Sequence, residues 1–362
     1  MTLSEKTAKF VLLFAVIGLA LWALLAGEAP HQQAAPGGFR DTELYRAASE
    51  QSGGYYERVI DLHRAHGYPL KPFYTVRLPT LATLTAAVGP DTMGMLLWFL
   101  LAAGVVAWLY RLREAHFLER LAAVFLFGLF ATPLSTSIYS HDVWAGMLLA
   151  VGLGWGRATF GFLAAIVREL TFPFLLAGIA ASYFAKQRAS ALLVAAAVAA
   201  TAIFIHALIV SSLTTAADPP SAGWLGLRGA AGFVSDVRLL TAFRYLPYPI
   251  ACLFAFLPLL GWYQMRDWHG LLWFAGFAAV LMIFCRPDTY YWAANIIPAY
   301  FIGLAFVPRF IRSSFSGRDG GQGGIRTHGE LAPTAVFKTA ALNHSATCPR
   351  RPATAVEGHC HP

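Results

Sequence analysis

Residues 163–176 read LAAIVRELTFPFLL, an apolar run broken by Arg168 and Glu169 side by side. A full charge pair in such a setting is costly in hydrocarbon and persists where partners or water can reach it. Two readings stand open: a plain interhelical salt bridge, or a guanidinium and a carboxylate facing a water-accessible cavity. Three other places carry similar residue types. His141 and Asp142 stand together in SIYSHDVWAG, CRPDTYYWAAN gathers Arg286, Asp288, Tyr291 and Trp292, and GGFRDTELYRAA holds Asp41 and Glu43. Carboxylates can accept a proton from a hydroxyl, and guanidinium groups bind anionic oxygens through paired hydrogen bonds.

The background that must position these residues is greasy. The chain has 362 residues, 57% of them hydrophobic and 13% charged, against about 25% charged in an ordinary soluble domain. Such a chain lacks the polar surface for water, so an integral membrane protein is expected. The formal net charge of +8 then reads as Lys and Arg facing anionic membrane lipid. No basic block interleaved with aromatics points to a nucleic acid partner. Cys252 and Cys285 lie in apolar runs and Cys348 and Cys360 in the tail, without metal-ligand spacing; two buried thiols are expected, and no metal site. Lys6 and Lys9 precede the apolar run Phe10–Ala26 in the manner of a signal peptide; with so many later spans, an uncleaved signal anchor is the expectation.

Runs long enough to cross, or nearly cross, a bilayer are Phe10–Gly27, Met93–Tyr110, Leu121–Leu134, Val143–Gly156, Ala191–Leu213, Pro249–Met265, Leu271–Cys285 and Tyr290–Val307. The stretch from Arg157 to Lys186 is too long for one span, and Pro173 follows the charge pair. It reads as two short helices with Arg168-Glu169 at their apex. The expected fold is therefore all-α, a polytopic transmembrane bundle of about ten spans over residues 1–312. With the N-terminus in the cytoplasm, every inner loop holds a base: Arg111, Arg113 and Arg120; Arg157; Lys186 and Arg188; Arg266; Arg309 and Arg312. That satisfies the positive-inside rule and places both termini in the cytoplasm of a multi-pass protein of the inner (plasma) membrane.

The long first extracytoplasmic loop, residues 28–92, carries helical patterns at Asp41–Ser49 and Tyr55–His66 and a short apolar one at Leu78–Val88. Amphipathic helices of this kind lie flat at the interface and cap a cavity. On this topology the carboxylates, His141, Arg168, Arg286 and the aromatics all collect at the outer face. Each has a plainer use: Asp142 as a helix N-cap, and the Tyr and Trp of CRPDTYYWAAN as interfacial anchors. The alternative for those aromatics is a sugar ring or a lipid head group.

In this layout the chain resembles the GT-C class of integral membrane glycosyltransferases, in particular bacterial members that use polyprenyl-phosphate sugars. The resemblance covers about residues 1–312. It is carried by the first span and long loop with an early acid (Asp41, then Tyr45 and Ala48), by SHDVWAG, by RELTFPFLLAG and by Tyr291-Trp292. Where many relatives carry Tyr-Pro-Pro late in the first loop, this chain reads FYTVRLPTL, and Asp41 is followed by Glu43 and not by an adjacent acid. The resemblance implies hexosyl or mannosyl transfer from a polyprenyl-phosphate donor to a lipid or glycan acceptor, by one inverting displacement and with no cofactor. It implies Asp41, or next Glu43, as base, and Arg168, or next Arg286, as binder of the departing phosphate. Glu169 would orient Arg168, and His141, Asp142, Asp288, Tyr291 and Trp292 would support or contact substrate. Membrane lipid is the other partner. A transporter or flippase of a lipid-linked or anionic solute, and a surface-glycan polymerase or ligase, are the competing readings; no inverted repeat favours transport.

From Gly317 the chain turns rich in Gly, Pro, Thr and Ala without periodicity, and residues 313–362 read as a disordered tail. GGIRTHG and ALNHSATCP back-translate to the antisense of transfer-RNA gene segments, in the order antisense reading requires. The tail thus reads as a frame running through an oppositely oriented tRNA gene, and His328, His344, Cys348 and Cys360 are not expected to form a metal site.

Overall fold

A computed structural model describes residues 4–31, 41–50 and 54–315, and every regular element among them is helical. The chain divides at Ser316/Gly317; residues 316–362 lie outside the described residues, and with them the tail reading above except at 313–315, which are helical and not part of a disordered tail. α1 (Glu5–Ala26) starts at Ser4, whose hydroxyl accepts the Thr7 N–H at 3.2 Å, and stops at Gly27. Its Val16 and Ala23 are buried while Phe14 and Leu25 are exposed, so apolar side chains cover all its faces, as lipid contact demands. Then come α2 (Asp41–Glu50), α3 (Tyr55–Ala65) and α4 (Thr80–Val88). The first pair is amphipathic and α4 follows Pro79, as the sequence pattern predicts.

Next are α5 (Pro90–Arg111), α6 (Phe117–Ala131), α7 (His141–Trp155), α8 (Ala158–Val167), α9 (Phe172–Phe184) and α10 (Ser190–Leu213). α11 (Gly229–Leu240), α12 (Tyr248–Phe256), α13 (Pro258–Gln264), α14 (Trp268–Phe284), α15 (Ile297–Tyr300) and α16 (Val307–Phe315) complete the series. Four helices are long and apolar enough to cross a membrane: α1, α5, α10, and α6 extended by a 3₁₀ turn to Thr136. Shorter apolar helices pack among them. Cys252 and Cys285 are buried free thiols.

Three departures from the expected layout are seen, two of them at prolines. Pro258 lacks an N–H and splits Pro249–Met265 into α12 and α13. Residues 290–306 are two six-residue 3₁₀ stretches around the single α turn that Pro298 opens. The stretch read as an outer connection after α10 contains α11, which is buried from Ala230 to Val237.

Polar contacts sort to the two ends of α1, about 33 Å apart for 22 residues. At its start, Arg266 bonds Glu5 at 3.3 Å and Lys9 bonds Ser313 at 3.2 Å. Ser313 also bonds Gln264, Asp267 next to Arg266 pairs with Arg111, and Glu119 pairs with Arg309. At its finish, Glu28 pairs with Arg238, and the Tyr248 hydroxyl donates to Gly27 O at 2.9 Å.

The first-loop helices make a second, smaller core. Leu44, Ala48, Val59 and Ile60 pack beneath Val76 and on Val210 of α10. His206 of α10 lies 3.0 Å from Val76 O through Nε2, so its Nδ1 accepts from the Tyr56 hydroxyl at 3.1 Å. Arg64 grips Asp218 with two bonds of 2.9 Å, and residues 70–71 bond to 219–221. Arg64, then the Thr215 amide, hold the Asp218 carboxyl well below the usual range.

His63 lies in this small core, 1% exposed, with Nδ1 2.9 Å from Pro69 O. Burial pushes its pKa down to about 4. A depressed histidine is neutral when folded, so its stabilisation is complete above its unfolded pKa of about 6.5 and is lost as pH falls toward 4. At full titration the loss is about 3 kcal/mol. Thermal melts should show stability declining across that window in the native protein, with a flatter profile in His63→Gln.

Glycines set the closest helix approaches. A Cβ on Gly146 of α7 would fall 2.2 Å from Ala294 O, and one on Gly261 of α13 would fall 1.7 Å from Gly303 O. Such backbone-to-backbone contact is how small residues join apolar helices. Gly146→Ala should therefore force the 290–295 turn off α7 and lower stability by about 1–3 kcal/mol, the usual cost of overpacking. A thermal melt in detergent checks it; an unchanged melting temperature would contradict that packing.

Candidate functional site

The break between α8 and α9 puts Arg168 at the centre of a buried charge network. Arg168 adopts extended backbone (φ −143°, ψ 102°), ends α8, and leads into the 3₁₀ turn Glu169–Thr171. Pro173 begins α9 directly afterwards, so the hairpin apex read from the sequence is present. The guanidinium is 2% exposed. Its Nε donates to Asp142 Oδ1 at 2.9 Å and its Nη1 bonds Glu169. The Trp292 ring lies 6.0 Å from its central carbon.

Asp142 does not cap α7. Ser140 does, accepting the Val143 N–H at 3.4 Å. The Asp142 carboxylate turns inward and also receives Asn295 Nδ2 at 2.7 Å. His141, buried beside it, sets its ring against Tyr45 at 4.6 Å between centroids.

A second guanidinium completes the network. Arg77 donates from Nη2 to Asp41 Oδ2 at 3.2 Å, and its Nη1 lies 3.7 Å from Glu169 Oε1. The backbone holds it in place: its N–H donates to the Tyr45 hydroxyl at 2.9 Å, and its carbonyl receives the Tyr55 hydroxyl at 2.8 Å. Burial works against its charge, but Asp41, Tyr45, Tyr291 and Glu169 outweigh it and hold the guanidinium protonated. Burial also raises the Tyr45 phenol, which remains a neutral hydrogen-bonding group. The Tyr291 hydroxyl donates to Asp41 Oδ2 at 3.2 Å.

The three carboxylates differ in access. The side chains of Asp142 and Glu169 are 4% and 10% exposed, whereas that of Asp41, at the start of α2, is 32% exposed. Asp41 is the acid an incoming group can reach. Glu43, two residues on and therefore turned away from it, is exposed on the helix surface.

Arg286 and Asp288 bond chiefly to each other, Nε to Oδ1 at 3.0 Å, and Arg286 also donates to Gly223 O. They border this network without bonding to its acids. Beside them Asp236 of α11 takes Arg228 at 2.6 Å and His31 at 3.2 Å, which fastens the chain just after α1. Tyr74, Trp224 and Trp292 form an aromatic row from three segments, with centroids 4.1 and 5.4 Å apart.

The structure thus joins Asp41, His141, Asp142, Arg168, Glu169, Tyr291 and Trp292 of the residues expected from sequence. It adds Arg77 and Asn295. Arg77 carried the signal that singled out Arg168, a full charge between apolar neighbours (Val76, Leu78); Asn295 carried none. Among the described residues, no three His, Cys, Asp or Glu side chains are grouped as metal ligands. Fold and site together define an all-helical protein among the described residues, with four helices fit to span a membrane, that holds a five-membered charge network in which four members are buried and the fifth, Asp41, is accessible. No protein-family model, curated protein or solved structure matches this chain.

Proposed function

We propose that this protein is a membrane glycosyltransferase of the GT-C kind, moving a sugar from a polyprenyl-phosphate donor to a lipid or glycan acceptor at the extracytoplasmic face. The observation that carries the reading is the pairing of an accessible carboxylate, Asp41, with two buried guanidiniums in one bonded network. Inverting transfer needs both kinds of group close together. The acceptor hydroxyl gives its proton to Asp41 as its oxygen attacks the anomeric carbon. The bond from that carbon to the phosphate oxygen breaks, and the electron pair leaves with the lipid phosphate. Arg168 and Arg77 then meet the growing negative charge with hydrogen bonds already in place. Asp142 and Asn295 keep Arg168 aimed, and Tyr291 and Arg77 do the same for Asp41.

Sidedness supports the same reading. Four helices are long and apolar enough to cross a membrane, and shorter apolar helices accompany them. Arg111, Arg266 and Arg309, from the loops expected in the cytoplasm, meet their partners at the end opposite the network. Purified protein in proteoliposomes, supplied with polyprenyl-phosphate sugars, should release polyprenyl phosphate only when an acceptor is present. Donor crossing the bilayer intact, without bond cleavage, would instead make the protein a flippase.

A further inference from the structure

Counted formally, the network sets the carboxylates of Asp41, Asp142 and Glu169 against the guanidiniums of Arg77 and Arg168, an excess of one negative charge. A phosphate arriving there meets two guanidiniums already occupied and an unfavourable balance. The acids are not equivalent. Asp41 belongs to Arg77 and Asp142 to Arg168, and each accepts a further bond, from Tyr291 and Asn295 respectively. Glu169 is the shared acid: its Oε1 faces both guanidiniums, while its Oε2 is buried without a partner. A buried unpaired carboxylate oxygen is expensive, so Glu169 is the least well satisfied of the three. It stands first in a three-residue turn between two helices, on a side chain with three rotatable bonds.

We infer that Glu169 occupies the position of a phosphate oxygen between Arg77 and Arg168, and that a phosphodiester binds by exchanging with it. The exchange is charge for charge: a phosphodiester carries one negative charge and replaces one carboxylate. A phosphomonoester carries about 1.5 to 2 negative charges at neutral pH and overfills the same place. This rests on Arg168 as the phosphate-binding group and adds a direction to it. The site accepts the diester donor and, with Glu169 competing to return, gives up the monoester product.

The test is a titration of the purified full chain in detergent with methyl farnesyl phosphate (a diester), farnesyl phosphate (a monoester) and inorganic phosphate, followed by Trp fluorescence. Wild type should bind the diester more tightly than the monoester. Glu169→Gln, nearly isosteric but uncharged, should bind both at least tenfold more tightly and narrow the gap between them. If Glu169→Gln fails to accumulate folded, Glu169→Asp withdraws the charge by one methylene and must likewise bind more tightly than wild type. Equal or weaker binding by the Glu169 variants, with binding still lost in Arg168→Lys, overturns the exchange and leaves the glycosyltransferase reading standing. No binding of any probe to wild type or variants overturns both. Inorganic phosphate binding as tightly as the farnesyl esters would name free phosphate, and not a lipid head group, as the ligand, and would overturn the lipid-diester assignment.

Discussion

Asp41→Asn is expected to lower sugar transfer by about 10²- to 10⁴-fold, the range that a positioned general base contributes, while leaving the protein folded. The amide keeps an oxygen where Arg77 and Tyr291 donate to Oδ2, so the geometry survives and only the capacity to take a proton is lost. Asp41 is one-third exposed, and a pair this open contributes about 0–1 kcal/mol to stability. Arg77 retains Glu169 and the Tyr74 carbonyl at 3.1 Å. The measurement is transfer rate beside a thermal melt. Full activity in the asparagine variant would remove Asp41 as base, and a collapsed melt would make it a structural acid.

Arg168 should behave in the opposite way. Arg168→Gln leaves Asp142 and Glu169 buried with their shared cation gone, and breaking a buried pair on one side costs about 3–5 kcal/mol. This variant should accumulate poorly and melt early. Adding Asp142→Asn should restore much of that stability without restoring transfer, since one uncompensated charge has been removed and no guanidinium regained; the non-additivity measures the coupling. Arg168→Lys keeps the charge, but an ammonium is a point donor that cannot hold Asp142 and Glu169 with the planar fork now used. It should fold, with turnover reduced by about 10²- to 10³-fold, the loss typical of removing a preorganised donor to developing negative charge. A stable, fully active lysine variant would show that charge alone suffices.

These contrasts trace to what each residue's neighbours in the chain reveal. Arg168 and Glu169 stood out because hydrophobic residues surround them and Pro173 follows, so both the break and its charges were legible. Arg77 had the same flanks and sat in FYTVRLPTL, a segment read only for its difference from a family pattern. Asp142 has two uses open on sequence, a helix cap and a substrate contact, because Asp near a helix start often caps it. That Ser140 takes the role and frees Asp142 for Arg168 depends on where α8 ends. Arg286 stands second to Arg168 as a phosphate binder on sequence, and its own loop supplies Asp288 two residues on.

What the sequence by itself determined were properties carried by bonds between near neighbours in the chain and by the solvent: apolar helices fit for a bilayer, amphipathic helices α2 and α3, and the interrupted hairpin around Arg168. Helix hydrogen bonds close over four residues, and hydrophobic periodicity reports the surroundings directly. The tertiary structure alone decided that Asp41 meets Arg77 and Tyr291, that one glutamate serves two guanidiniums, and that α11 is buried. Those contacts join positions up to 250 residues apart. They follow from how helices seat against one another through sites such as Gly146 and Gly261, a matter of shape that no local pattern encodes.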